Sequence, residues 1–288
     1  MSKTSHSMQG QTVFMTGFTA GLGRAAAAEL VSRGAHVVGL CRNGEKGEAV
    51  AREIRTLASE GVIDVMVGDL GSQADIRRVA AEFLSTDRSL NVLWNNAGLI
   101  NLDRQTTIDG LEMTLAVNHL GHFLLTGLLL ERLRDTPAAR VVTTASDGYR
   151  FGGYLDFDDL QSESEYGAFR VYGRSKLANI LFTQELARRE EGNGITANCF
   201  HPGFVASDLS KNNGWWARTL MTALTPFARS PRKGAETGLY LCTSPDVGEV
   251  TGSYFVDGRV RNPGSKNQRP GDAEKLWQVS LALTGLSG

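Results

Sequence analysis

The chain has 288 residues, 41% hydrophobic and 21% charged, with 7 prolines, which excludes a disordered or fibrous protein. Thirty basic against 31 acidic side chains leave a formal charge of -1, so no excess field exists to hold a nucleic-acid backbone or an anionic membrane surface. Cys41, Cys199 and Cys242 are odd in number and widely spaced, which argues against a disulfide framework and fits a reducing cytoplasm.

Residues 1–11 are polar and lack the basic-then-apolar layout of a secretory signal, so they read as a flexible lead-in over 1–10 of a chain expected to stay in the cytoplasm. Short β-branched runs follow at 12–16, 35–41, 62–67, 92–94, 140–144, 195–199 and 254–256, with longer helical patterns between them. Runs such as Ala35-His36-Val37-Val38-Gly39-Leu40 lack strict polar alternation, the mark of strands covered on both faces. The fold expected is therefore α/β: one Rossmann-type, doubly wound parallel sheet of about seven strands spanning 1–288, with no linker or repeat to divide it. The most apolar stretch, 115–130, is interrupted by Asn118, His119, Gly121 and His122, so it is predicted as a buried core helix within 108–133 and not a membrane span. Two long segments, 149–168 and 204–230, leave the carboxyl edge of the sheet, where open α/β folds bind ligands. The second, over 204–231, is expected to form a substrate loop or lid, and 258–288 a C-terminal extension.

Between the first strand and an alanine-rich helix stands Thr16-Gly17-Phe18-Thr19-Ala20-Gly21-Leu22-Gly23. Glycines there let the backbone turn sharply and approach a pyrophosphate, whose charge is met by amides at the helix's amino end. The second strand ends in Cys41-Arg42-Asn43 with no acidic residue to bind ribose hydroxyls. An arginine at that turn suits a 2′-phosphate, which favours NADP(H) over NAD(H).

Tyr172 and Lys176 lie four apart near the start of a helix running to about Arg189, so phenol and ammonium can share one face. A nearby cation favours phenolate and is expected to draw the tyrosine pKa down toward the range useful for acid–base work. Ser146 follows the fifth strand directly and can present its hydroxyl to a substrate oxygen. Asn118 sits inside a helix where asparagine is locally unfavourable, so it needs buried partners.

Together these residues resemble the short-chain dehydrogenase/reductase family, particularly its retinol-dehydrogenase-like branch, over nearly the whole chain. The glycine loop resembles TGxxxGxG, Asn95-Asn96-Ala97-Gly98 resembles NNAG, and Tyr172 to Lys176 matches YxxxK, continued by Leu177-Ala178-Asn179. Val117-Asn118-His119-Leu120-Gly121-His122-Phe123 resembles a helix motif of the branch, and His201-Pro202-Gly203 with Val205 and Ser207 the segment after the sixth strand. The resemblance implies Tyr172 as general acid/base, Lys176 as its electrostatic partner and ribose binder, Ser146 as substrate-oxygen donor and Asn118 as relay anchor. It implies cofactor contacts from Gly17, Thr19, Ala20, Gly21, Leu22 and Gly23, then Arg42, Asp69 and Leu70, then Asn96, Ala97 and Gly98, and last Pro202, Gly203, Val205 and Ser207. Three positions depart from the pattern: Thr144-Ala145-Ser146 stands where Ser-Ser is common, Phe18-Thr19-Ala20 replaces smaller or amide residues, and Tyr149 stands where the branch often has histidine.

Tyr149, Trp215 and Trp216 are expected to line a lipophilic or aromatic substrate. His119 and His122 share a helix face, yet no carboxylate completes a ligand set, so no metal is expected. His201 reads as a strand-end residue. The resemblance also implies a homodimer or homotetramer through helices over 108–133 and 169–189. The function expected is reduction of a carbonyl or oxidation of an alcohol. The competing readings are reduction of a conjugated double bond, as in protochlorophyllide-reductase-like proteins, and a dinucleotide-binding regulator without turnover.

Overall fold

The computed structural model describes residues 6–57, 61–205 and 228–287. Eight strands form one sheet: β1 (Thr12–Thr16), β2 (His36–Cys41), β3 (Val62–Val67), β4 (Val92–Asn95), β5 (Arg140–Thr144), β6 (Thr196–His201), β7 (Ser253–Val256) and β8 (Arg259–Arg261). Their order is β3-β2-β1-β4-β5-β6-β7-β8; every pair is parallel except β7 with β8. The expected seven strands are present, and an eighth turns back from the seventh.

Helices cover both faces. They are α1 (Gly21–Ser32), α2 (Gly44–Leu57), α3 (Gln73–Leu84), α4 (Met113–Leu115), α5 (Gly121–Leu128), α6 (Leu130–Arg134), α7 (Ala168–Arg189), α8 (Pro231–Thr243) and α9 (Asp272–Thr284). Alternate side chains of β1 enter opposite layers: Val13 and Met15 pack with Phe18, Trp94 and Phe200, while Phe14 packs with Leu93, Phe123 and Phe182. Burial of each such aromatic stabilises the fold by about 2–3 kcal/mol, and Phe14 meets Phe83 edge-on at 5.3 Å. The order of the strands reverses between β1 and β4, which opens a crevice at their carboxyl ends, the Rossmann-type arrangement.

Three expectations need correction. The helix predicted over 108–133 begins at Met113; Asp109-Gly110 turns the chain, with Gly110 at φ +76°, and leaves Ile108 89% exposed. The buried Glu112 caps α4 by accepting hydrogen bonds from Thr114 N (2.8 Å) and Leu115 N (2.6 Å), and a π turn, Ala116–Leu120, joins α4 to α5. The lead-in is also tied down in its described part, since Met8 is buried and its N–H donates to Arg33 O at 2.8 Å.

The third concerns the C-terminal extension, which the sequence left without structure. It forms β8 and α9, and α9 lies along α7. Trp277 stacks on Phe182 at 6.1 Å, meets Phe123 edge-on at 4.9 Å and lies under the Arg189 guanidinium at 4.6 Å. Ser280 Oγ bonds His119 Nε2 at 2.9 Å. The extension thus covers part of the helical face named for assembly, leaving a groove of about 270 Å³ lined by Phe123, Leu130, Phe182, Leu186 and Trp277. No helix among the described residues is long and apolar enough to cross a membrane.

Candidate active site

The glycine loop leaves β1 into the crevice. Gly17 has φ +70°, and a Cβ there would stand 2.9 Å from Ala97 Cα; a Cβ on Gly23 would stand 2.1 Å from Gly17 O. Only a loop without those atoms can lie this close to the β4 turn. Thr19 and Ala20 stay partly exposed while Leu22 is buried. Phe18, the bulky departure from the motif, does not fill the crevice: its ring is fully buried against Gly39, where a Cβ would approach to 2.5 Å. α1 starts at Gly21 with no side-chain cap and no acidic residue in its first turn, so its amino-terminal amides remain open to an anion.

Around this loop, Arg42 stands exposed after β2 with no ion pair among the described residues. Asp69 is partly exposed after β3 and accepts from Gly71 N at 2.9 Å, while Leu70 is buried. Asn96, Ala97 and Gly98 follow β4 and are partly exposed. Pro202 and Gly203 follow β6; Gly203 has φ +83° with the Arg229 side chain against it, and Val205 is buried against Gly234 of α8. Ser207, Trp215 and Trp216 lie outside the described residues, as does most of the expected lid. A glycine cradle, uncapped amides and a guanidinium without an ion pair among the described residues fit a dinucleotide.

The candidate catalytic residues come from three elements. Ser146, extended at φ -166°, follows β5; its Oγ accepts from Gly148 N at 3.0 Å, and a Cβ on Gly148 would stand 3.2 Å from Ser146 Oγ and 3.0 Å from Tyr172 Cε1, so hydroxyl and phenol ring flank the same glycine. Tyr172 stands one turn into α7, partly exposed to the crevice, with Lys176 Nζ 5.7 Å from its ring centre. Lys176 is buried and donates to Thr144 O at 2.9 Å. Asn118, in the π turn, is fully buried: Nδ2 donates to Leu99 O and Ser175 Oγ, both 2.9 Å, and Oδ1 accepts from Leu99 N at 2.8 Å. Such turns recur at functional sites because they offset the helical ladder. A Cβ on Gly98 would lie 3.3 Å from Asn118 Oδ1 and 3.4 Å from Lys176 Nζ, so the β4 turn, Asn118 and Lys176 meet at one point.

The electrostatics differ from the expectation. Burial pushes the Tyr172 phenol up, and the neighbouring Ser146 hydroxyl offsets part of that rise. Lys176 does not draw it down in the free protein, because its own ammonium is turned to the Thr144 carbonyl and burial lowers it to about 8. Tyr172 is therefore a protonated acid at neutral pH.

Tyr149 is also misplaced by the sequence reading. It is 1% exposed, its hydroxyl donates to Pro263 O, and its ring packs on Tyr254 at 5.9 Å, so the C-terminal extension takes it out of the crevice. Thr144, by contrast, is a supporting residue: its Oγ1 accepts from Trp94 Nε1 at 3.1 Å and donates to Asn96 Oδ1 at 3.2 Å. Asn96 Nδ2 in turn donates to Thr16 O (3.0 Å) and Gly17 O (3.2 Å). Ser175 escaped the sequence analysis; Thr144 stood there only as an outside candidate for the substrate-oxygen donor, and Thr16 only as the first residue of the glycine loop.

A crevice at the strand-order reversal, a glycine cradle and an adjoining Tyr-Lys-Ser-Asn set define a dinucleotide-dependent oxidoreductase. The chain matches the short chain dehydrogenase family over residues 11–217 and belongs to it. It is 40% identical to retinol dehydrogenase 12 of Mus musculus over 283 residues, 98% of this chain and 89% of that one. Among solved structures it resembles an uncharacterised protein of Mycobacterium paratuberculosis, with TM-score 0.77 and 33% identity over 97% of this chain and 95% of that one. It also resembles a short chain dehydrogenase of Burkholderia cenocepacia in complex with NADP, with TM-score 0.66 and 25% identity over 86% of this chain and 96% of that one.

Proposed function

We propose that the protein is an NADP(H)-dependent oxidoreductase acting on the carbonyl or alcohol of a lipophilic or aromatic small molecule, with Tyr172 as general acid and base. The observation that carries this reading is the Tyr172 phenol, flanking Gly148 together with the Ser146 hydroxyl and with Lys176 Nζ 5.7 Å from its ring centre, in the chain whose glycine cradle opens the crevice. When bound, the nicotinamide supplies or accepts the hydride. Gly17, Thr19, Ala20, Gly21, Leu22 and Gly23 would hold its pyrophosphate, Arg42 the 2′-phosphate, Asp69 and Leu70 the adenine side, Asn96, Ala97 and Gly98 the adenosine side, Lys176 the nicotinamide ribose, and Pro202, Gly203, Val205 and Ser207 the nicotinamide end. The NADP complex of the Burkholderia relative and the unpaired Arg42 support this coenzyme.

In reduction, Ser146 donates a hydrogen bond to the substrate oxygen while the Tyr172 hydroxyl gives it a proton; in oxidation, the phenolate oxygen takes that proton back. Lys176 stabilises the phenolate. Asn118 keeps the β4 turn and Ser175 of α7 in register, and Trp215 and Trp216 would close over the apolar part of the substrate. The name of the mouse relative supports a lipophilic alcohol or aldehyde, and the family often assembles as a dimer or tetramer.

Tyr172→Phe removes the proton while keeping the ring. It should bind NADPH with wild-type affinity and lose at least about 100-fold in kcat, the range of one general acid–base group. Nicotinamide absorbance followed across a carbonyl and alcohol panel measures this, and undiminished turnover would remove the mechanism.

A further inference from the structure

His122 of α5 is 1% exposed, and both its ring nitrogens are engaged. Nε2 lies 3.0 Å from Thr16 Oγ1, and Nδ1 lies 3.1 Å from the Asn118 carbonyl oxygen. The proton positions follow from the partners. Thr16 Oγ1 already accepts from Asn96 N and Ala97 N, both at 2.9 Å, so its two lone pairs are taken and its own proton can only go to Nε2. A carbonyl can only accept, so Nδ1 carries the imidazole hydrogen. Burial keeps the ring neutral, with its pKa lowered to about 4, which preserves Nε2 as an acceptor.

This places His122 in a closed circuit. From α7, Lys176 reaches Thr144 O, Thr144 reaches Asn96, Asn96 reaches Thr16 and Gly17, Thr16 reaches His122, and His122 reaches Asn118. Asn118 returns to α7 through Ser175, whose Oγ donates to Tyr172 O at 2.7 Å. His122 is the one side chain in this circuit that joins the start of the glycine loop to the helix carrying Asn118. We propose that His122 is a positioning residue that locks the dinucleotide cradle to the catalytic asparagine, acting through Thr16 on Asn96 and Ala97 and through the Asn118 carbonyl on the π turn. The inference rests on the dinucleotide-dependent reading above, because the cradle is its object.

Removal of the ring leaves a buried hydroxyl without an acceptor and a buried carbonyl without its donor, and the β4 turn loses its fixed anchor. His122→Leu and Thr16→Val should each weaken NADPH binding about 10-fold in a fluorescence titration of the full chain, with an unchanged circular dichroism spectrum. Because the two substitutions share the Thr16–His122 hydrogen bond, the double variant should lose clearly less than the product of the two single losses. Additive losses, or His122→Leu binding NADPH as the wild type does, would overturn the proposal. Nitrogen-15 NMR of the unaltered protein tests it without a variant: His122 should carry its hydrogen on Nδ1 and show no titration from pH 5 to 8. A hydrogen on Nε2, or titration near pH 6.5, overturns it. Failure of the wild-type chain to bind NADPH would instead defeat the functional reading, while the NMR result still decides the role of His122.

Discussion

Arg42 stands at the rim of the crevice with its guanidinium exposed and no carboxylate partner among the described residues. A phosphate on the adenosine ribose would meet a planar cation there, whereas an unphosphorylated ribose would gain little from it. Arg42→Asp should therefore raise KM for NADPH at least about 30-fold, some 2 kcal/mol, and change KM for NADH by less than about 3-fold. Equal effects on both coenzymes would sink the assignment. Residues whose placement follows from spacing were legible in the sequence: Tyr172 and Lys176 by the helical interval, the glycines by their position between strand and helix. Residues whose work depends on a partner far along the chain were not. Glu112 looks like any loop acid until its carboxylate is seen capping α4, and Tyr149 looks like a wall of the crevice until Pro263, 114 positions away, accepts its hydroxyl.

At the scale of elements, β-branched runs located the strands to within one or two residues, because burial on both faces leaves a signal in each segment alone. The helix over Met113–Arg134 was harder. Residues 114–126 are buried on every face, so periodicity could not register the late start after Gly110 or the π turn at Asn118. α9 carries the least local signal, and it docks by a few large contacts. Trp277 meets Phe123, Phe182 and Arg189, so Trp277→Ala should destabilise the protein by about 2 kcal/mol, less than the 3–5 typical of a fully enclosed tryptophan because one edge faces solvent. The urea midpoint measures it. An unchanged midpoint would mean that α9 contributes no stability through this ring.

For the molecule as a whole, the two buried histidines make stability fall on the acid side. Burial lowers His119 to about 3, with His122 adding to the effect, and lowers His122 to about 4, with the Lys176 charge also contributing. An unfolded histidine binds a proton below about 6.5 while these native rings do not, so their stabilisation is complete above that pH and is lost as the pH falls, levelling near 4 for His122 and 3 for His119. At pH 5 the loss should be about 2 kcal/mol for each ring. Urea midpoints at pH 7 and pH 5 check this, and a flat profile between them would contradict it. The single sheet that holds these parts together also has an end that bears on how chains meet. β8 reverses direction, spans three residues and presents Arg259 and Arg261. A foreign strand approaching that border would find few backbone groups to pair with and two cations to accommodate. Crowded copies of this chain are thereby steered away from zipping their sheets into one continuous ribbon at the β8 border.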